Sequence, residues 1–166
     1  LTRDQWLNQT PVLDKLVGGY KATVSGVTAA QASEIAADGH VSTVQISDTG
    51  ANIQARLDDL QDLGAQISGI AQSDDGAALT ITASQLSANA GVLTKFGNGK
   101  PSLIVTEVAA ANVASLVVNA KISTLRVEDS AYNIAANLDA LSASDSKVTG
   151  INQTGTASTL NITAAQ

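Results

Sequence analysis

Short β-branched runs alternate with Ala-rich amphipathic runs along this chain, the pattern of strand–helix units. The strands are expected at residues 22–27, 43–47, 67–72 and 79–82. The helices are expected at 4–16 with a break, 29–38 and 50–63. In the last of these, Ile53, Leu57 and Leu60 recur at i, i+4 and i+7, so one face is apolar. Thr2-x-x-Gln5, Thr28-x-x-Gln31, Thr82-x-x-Gln85 and Thr163-x-x-Gln166 all fit a capping box, in which hydroxyl and amide satisfy the first free N–H groups of a helix. Asp48 and Asp129 precede the third helix type and are expected to cap it, with Thr49 and Ser130 as alternatives. Thr10 followed by Pro11 reads as a cap with proline at the first helical position.

The pattern repeats. VSTVQISDTGANIQARLDDL from Val41 faces ISTLRVEDSAYNIAANLDAL from Ile122, an offset of 122 − 41 = 81, which holds to the end of the chain. Identical pairs include Asp48/Asp129, Asn52/Asn133, Ile53/Ile134, Leu57/Leu138 and Leu60/Leu141. Upstream, TVSGVTAA from Thr23 faces IVTEVAAA from Ile104. After one step of slippage, PVLDKLVGG from Pro11 faces GVLTKFGNG from Gly91, and Leu1 faces Ile81. The organisation read from this is copy one at 1–80, copy two at 81–161, and the start of a third copy at 162–166. The shared phase of start and stop predicts a piece of a longer array.

Strand–helix–strand connections of this length favour parallel strands with right-handed crossovers. The expected fold is therefore α/β: a solenoid with one parallel sheet and helices on one side, similar in logic to leucine-rich repeats. Two compact α/β modules in tandem are the alternative.

Composition narrows the chemistry. The 166 residues carry 9 Lys and Arg against 15 Asp and Glu, a net charge of −6. Nucleic acid and anionic membrane surfaces both need a basic footprint, so neither is expected as a partner. The longest weakly polar run, 108–120, is interrupted by Asn112, Ser115 and Asn119 and falls well short of a membrane span of about 20 residues. With no Cys, no Met and one His, disulfides and thiolate, His- or Met-held metal sites are not expected. No catalytic, cofactor or metal residue is assigned.

Several residues carry a sharper reading beside a plainer one. Asn52, Asn133 and Asn112 could form a ladder of polar side chains, or bond nearby loop backbone. Ser73-Asp74-Asp75-Gly76 could seat calcium, but copy two has Thr154-Gly155-Thr156-Ala157 there, without a carboxylate. His40 and its counterpart Lys121 read as surface or cap residues, and Trp6 as core. Lys95 to Lys100 is too short for a phosphate-binding loop. Asn8-Gln9-Thr10, Asn152-Gln153-Thr154 and Asn161-Ile162-Thr163 match the glycosylation pattern, as expected in so Thr-rich a chain.

The phrases VSTVQISDTGANI/ISTLRVEDSAYNI, LDDL/LDAL and LTITASQ/LNITAAQ resemble the tandem arrays of very large secreted or surface proteins of Gram-negative bacteria, the RTX-like adhesins often exported by type I secretion. The resemblance implies an extracellular or cell-surface setting and a structural or adhesive role, with no catalytic residue to carry over. The chain lacks the Gly-Gly-x-Gly-x-Asp nonapeptides that bind calcium in such proteins. The expected function is a non-catalytic spacer or display module whose partners are the neighbouring repeats. The alternative is a glycan- or protein-binding module using strand residues such as Gln45, Ser47, Arg126 and Glu128. Open solenoid ends also leave end-to-end self-association open.

Overall fold

The computed structural model describes residues 1–74, 76–97, 101–156, 159 and 162. Asp75, Asn161, Thr163, Gln166 and most of the expected third-copy start lie outside them. The helices are α1 (Arg3–Leu13), α2 (Ala32–Ala36), α3 (Gly50–Ala55), α4 (Leu57–Leu63), α5 (Ala83–Ala88), α6 (Ala90–Leu93), α7 (Val113–Leu116), α8 (Ala131–Ala136) and α9 (Leu138–Ala143). The strands are β1 (Ala22–Val27), β2 (Val41–Asp48), β3 (Ile67–Gln72), β4 (Leu79–Thr82), β5 (Leu103–Val108), β6 (Ile122–Asp129) and β7 (Val148–Gln153). The chain is α/β with two parallel sheets, ordered β1-β2-β3 and β4-β5-β6-β7. It divides into two compact units, Leu1–Ala77 with Asn89–Pro101, and Ala78–Ala88 with Ser102–Gln166. This is the two-module form of the expected architecture, and the units exchange one short segment relative to the sequence copies.

In the first unit the β2 side chains alternate between core and solvent: Val41, Val44 and Ile46 are buried, while Ser42, Gln45 and Ser47 are exposed. One sheet face therefore carries the core, completed by Ile53, Leu57 and Leu60 from α3 and α4. The sheet is extended at both edges. Thr2 bridges Ser25 beside β1, and Phe96 bridges Ile70 beside β3. Leu1 and Thr2 thus stand beside β1 where β4 stands beside β5 in the second unit. In that unit Leu125 and Val127 are buried on the core face, and Arg126 and Glu128 are exposed on the other.

Three expected helices differ in detail. The run 50–63 is split at Arg56, and its counterpart at Asn137, where φ is −121° and −119°. The run from Ala29 begins as a 3-10 turn, Ala29–Gln31, before α2. α1 runs through Pro11 rather than starting there. Pro11 has no N–H to give the Leu7 carbonyl one turn back, so the helix loses a bond there, and Thr10 Oγ1 turns back to donate to the Trp6 carbonyl. The capping boxes at Thr2 and Thr82 are formed. The one at Thr28 is not, because its hydroxyl donates to the Gln31 side chain and makes no backbone cap.

Both units place a bulge at the end of the second strand of the four-strand pattern, between Ser25 and Val27 and between Val105 and Val108. Gly26 occupies it with φ +71° in one unit and Glu107 with φ +55° in the other. Left-handed backbone is free for glycine and strained for other residues. Gly26→Ala should therefore cost about 1 kcal/mol, since open space surrounds the added methyl and only backbone strain counts. Glu107→Gly should shift stability the other way, by up to about 1 kcal/mol. Chemical denaturation of the two variants measures both.

Candidate functional site

The residues that recur most faithfully converge on one arrangement, present twice. Asp48 ends β2 with its carboxylate largely buried. One oxygen accepts the Thr49 N–H at 2.8 Å and Asn52 Nδ2 at 2.7 Å. The other accepts the Ala29 N–H at 3.0 Å, at the start of the preceding crossover. In the second unit Asp129 accepts from Ser130 N at 2.8 Å, Asn133 Nδ2 at 2.7 Å and Ala110 N at 2.9 Å. The caps of α3 and α8 are Thr49 and Ser130, whose hydroxyls accept from Asn52 N and Asn133 N. The aspartates are not the caps; each clamps the strand end to two helical starts. Asn52 and Asn133 serve these clasps, one turn into the helix. Asn112 lies in the 3-10 turn of another crossover and joins no ladder with them.

Electrostatics match the geometry. Burial works to raise the Asp48 carboxyl, and Asp74 opposes its ionisation. The hydrogen bonds from Asn52, Ala29 and Thr49 outweigh both and hold it below the usual range. Asp129 is held low by Asn133 against desolvation, with help from Ala110 and Ser130. The carboxylates are thus ionised acceptors with their lone pairs engaged by the backbone. A shallow hollow of about 320 Å3 beside Asp48 is lined by Thr28, Asn52 and Arg56.

The other candidates fall apart in space. Both Asp74 oxygens lie 3.0 Å from the Gly50 N–H, so this carboxylate closes the turn after β3 onto the start of α3. That backbone bond, with a side-chain bond from Gln72, lowers its pKa. Among the described residues no three His, Asp or Glu side chains gather as a metal-ligand set. Trp6 is buried, and its ring is tilted against Tyr20 at 6.3 Å. Tyr20 stacks on His40 at 4.6 Å and donates to Asp14, a cluster with no signal in the spacing of the sequence. Asn8 and Thr10 lie within α1, and both bond backbone carbonyls one turn back. Asn152 is exposed on β7.

On the solvent face of the second sheet, Thr106, Glu107, Arg126, Glu128 and Asn152 line an open hollow of about 370 Å3. This is the polar surface expected from the strand alternation. Among the described residues no helix is long and apolar enough to cross a membrane. No protein-family model, curated protein or solved structure matches the chain.

Asp48→Ala should cost about 2–3 kcal/mol, because it strands the Ala29 and Thr49 N–H groups and removes the bond from Asn52 Nδ2. Both clasp carboxyls have folded pKa values below their unfolded ones. Their contribution is complete above the unfolded value near 4 and is lost as pH falls through the folded values. Thermal melts should be flat in this respect at neutral pH and fall in acid. An Asp48→Asn/Asp129→Asn double variant should melt lower at neutral pH but show a shallower acid dependence.

Proposed function

We propose that this chain is a non-catalytic structural repeat, a spacer or display module of a large secreted or cell-surface bacterial protein. The observation that carries this reading is the repeated clasp. The polar residues most faithfully kept between copies spend their hydrogen bonds on backbone and on one another, as residues of a scaffold do. An array built this way grows by adding parallel strands, and successive copies of about four strands form a solenoid in this reading. Small-angle scattering on this chain and on chains lengthened by one and two further copies tests it. Growth of roughly 19 Å per copy with a stiff profile, from a strand spacing near 4.8 Å, is the expected result. A length that stops growing, or beads that flex independently, overturns the spacer.

A second reading is favoured by the hollow around Arg126 and Glu128: a glycan- or protein-binding face presented by the same scaffold. Glycan arrays and surface pull-downs with the chain and with a Gln45→Ala/Arg126→Ala variant test it. Capture that survives both substitutions removes the sheet face as the binding surface.

A further inference from the structure

The two units share a frame, and on the solvent face of their sheets they diverge together. Glu107, Arg126, Glu128 and Asn152 of the second unit stand where the first has Gly26, Gln45, Ser47 and Ala71. The four residues of the second unit line one open hollow of about 370 Å3. Its three charged members come from β5 and β6, the inner strands of their sheet, so they stand on the face and not at an edge.

The bulge supplies one of these positions. Leu103 and Val105 are buried, so strict alternation would turn Glu107 into the core as well. The bulge turns it outward instead, and Val108 takes the buried place. In the first unit the same bulge forms around Gly26, which is free to adopt φ +71°. Glu107 holds φ +55°, a region that side chains rarely adopt. A carboxylate is thus kept on this face against the preference of its own backbone, at a place where the fold needs none. Among the described residues Glu107, Arg126 and Glu128 enter no ion pair, so their charges are not spent on one another.

We propose that this hollow binds a neutral saccharide, with the Glu107 and Glu128 carboxylates accepting from sugar hydroxyls and the Arg126 guanidinium and Asn152 amide donating to them. The charges select the class. An anion would face two carboxylates, and a cation would face the guanidinium. A hydroxyl both donates and accepts, and two on adjacent carbons match the paired oxygens of a carboxylate or the fork of a guanidinium. A peptide backbone also gives and accepts, but it joins a sheet at an edge strand, and these charges stand on inner ones. The hollow is open, and no aromatic side chain lines it among the described residues, so one site binds weakly, with a Kd in roughly the millimolar range.

The saccharide site rests on the sheet-face reading above and narrows it to one unit and one ligand class. A glycan array carrying neutral, acidic and amine-bearing oligosaccharides is probed with the whole chain. The retained sugars are then titrated into isotope-labelled chain and followed by amide NMR. Neutral oligosaccharides should be retained above the charged ones and should shift the Glu107, Arg126 and Glu128 amides saturably. Glu107→Gly restores the residue of the first unit. It should melt no lower than the parent chain, yet bind at least about tenfold more weakly. Arg126→Gln and Glu128→Ser, likewise residues of the first unit, should keep the fold and weaken binding to a similar degree. Gln45→Ala should leave binding unchanged. No neutral sugar retained, a preference for charged sugars, or undiminished binding by Glu107→Gly overturns the saccharide site. Capture that falls with Gln45→Ala but not with Glu107→Gly overturns it and leaves the sheet-face reading standing. Capture that survives Gln45→Ala/Arg126→Ala overturns both.

Discussion

A parallel strand cannot be followed directly by its neighbour; the chain must cross back over the sheet, and the crossover is also what covers the strand's apolar face. In the first unit that cover comes from beyond the sequence copy itself. Leu57, Leu60, Ile67 and Ile70 belong to the first copy, yet the Asn89–Phe96 segment that seals them belongs to the second. The compact units consequently do not coincide with the sequence copies. For the first copy, the unit of sequence and the unit of packing differ by that segment.

Within that constraint the aspartate clasps set how tightly the crossovers can be drawn. A strand that ends against two helix starts leaves several N–H groups of different elements pointing into one place, where water is largely excluded. One ionised carboxylate satisfies three donors there, counting the Asn amide. A hydroxyl or a carbonyl could not reach all of them, which accounts for Asp48 and Asp129 standing at the same place while the adjoining cap varies between Thr49 and Ser130.

Much of this was legible beforehand. β1, β3 and β4 fall where the β-branched runs place them, because half-buried strands force an alternation that little else in such a chain imitates. The capping boxes at Thr2 and Thr82 were equally legible, being local. What escaped leaves no mark in residue spacing. Thr28 has the same spacing, but the Gln31 N–H bonds the Thr28 carbonyl in a 3-10 turn and the Thr28 hydroxyl donates to Gln31 Oε1, so its local box never closes. The split at Arg56 and Asn137 leaves the apolar spacing intact and so leaves no trace in periodicity. Glu107 hides a left-handed position that Gly26 would have revealed, had the two been read as a pair. Asp74 looked like a cation ligand because carboxylates on a turn have two possible customers, a metal or a free N–H, and here Gly50 supplies the second.

Differences between the copies carry information that identities do not. Identical pairs mark what both crossovers need, and the apolar phrases alone would permit many arrangements. The contact of Gly91 with Gln61 is of another kind. A Cβ at Gly91 would lie 3.0 Å from Gln61 Nε2, while Gln61 Oε1 accepts the Val92 N–H at 2.8 Å, so the missing side chain lets α6 settle against the amide that holds it. Copy one has Pro11 in place of Gly91 and copy two has Ser142 in place of Gln61, so this contact belongs to the junction inside the chain and not to the repeat as such.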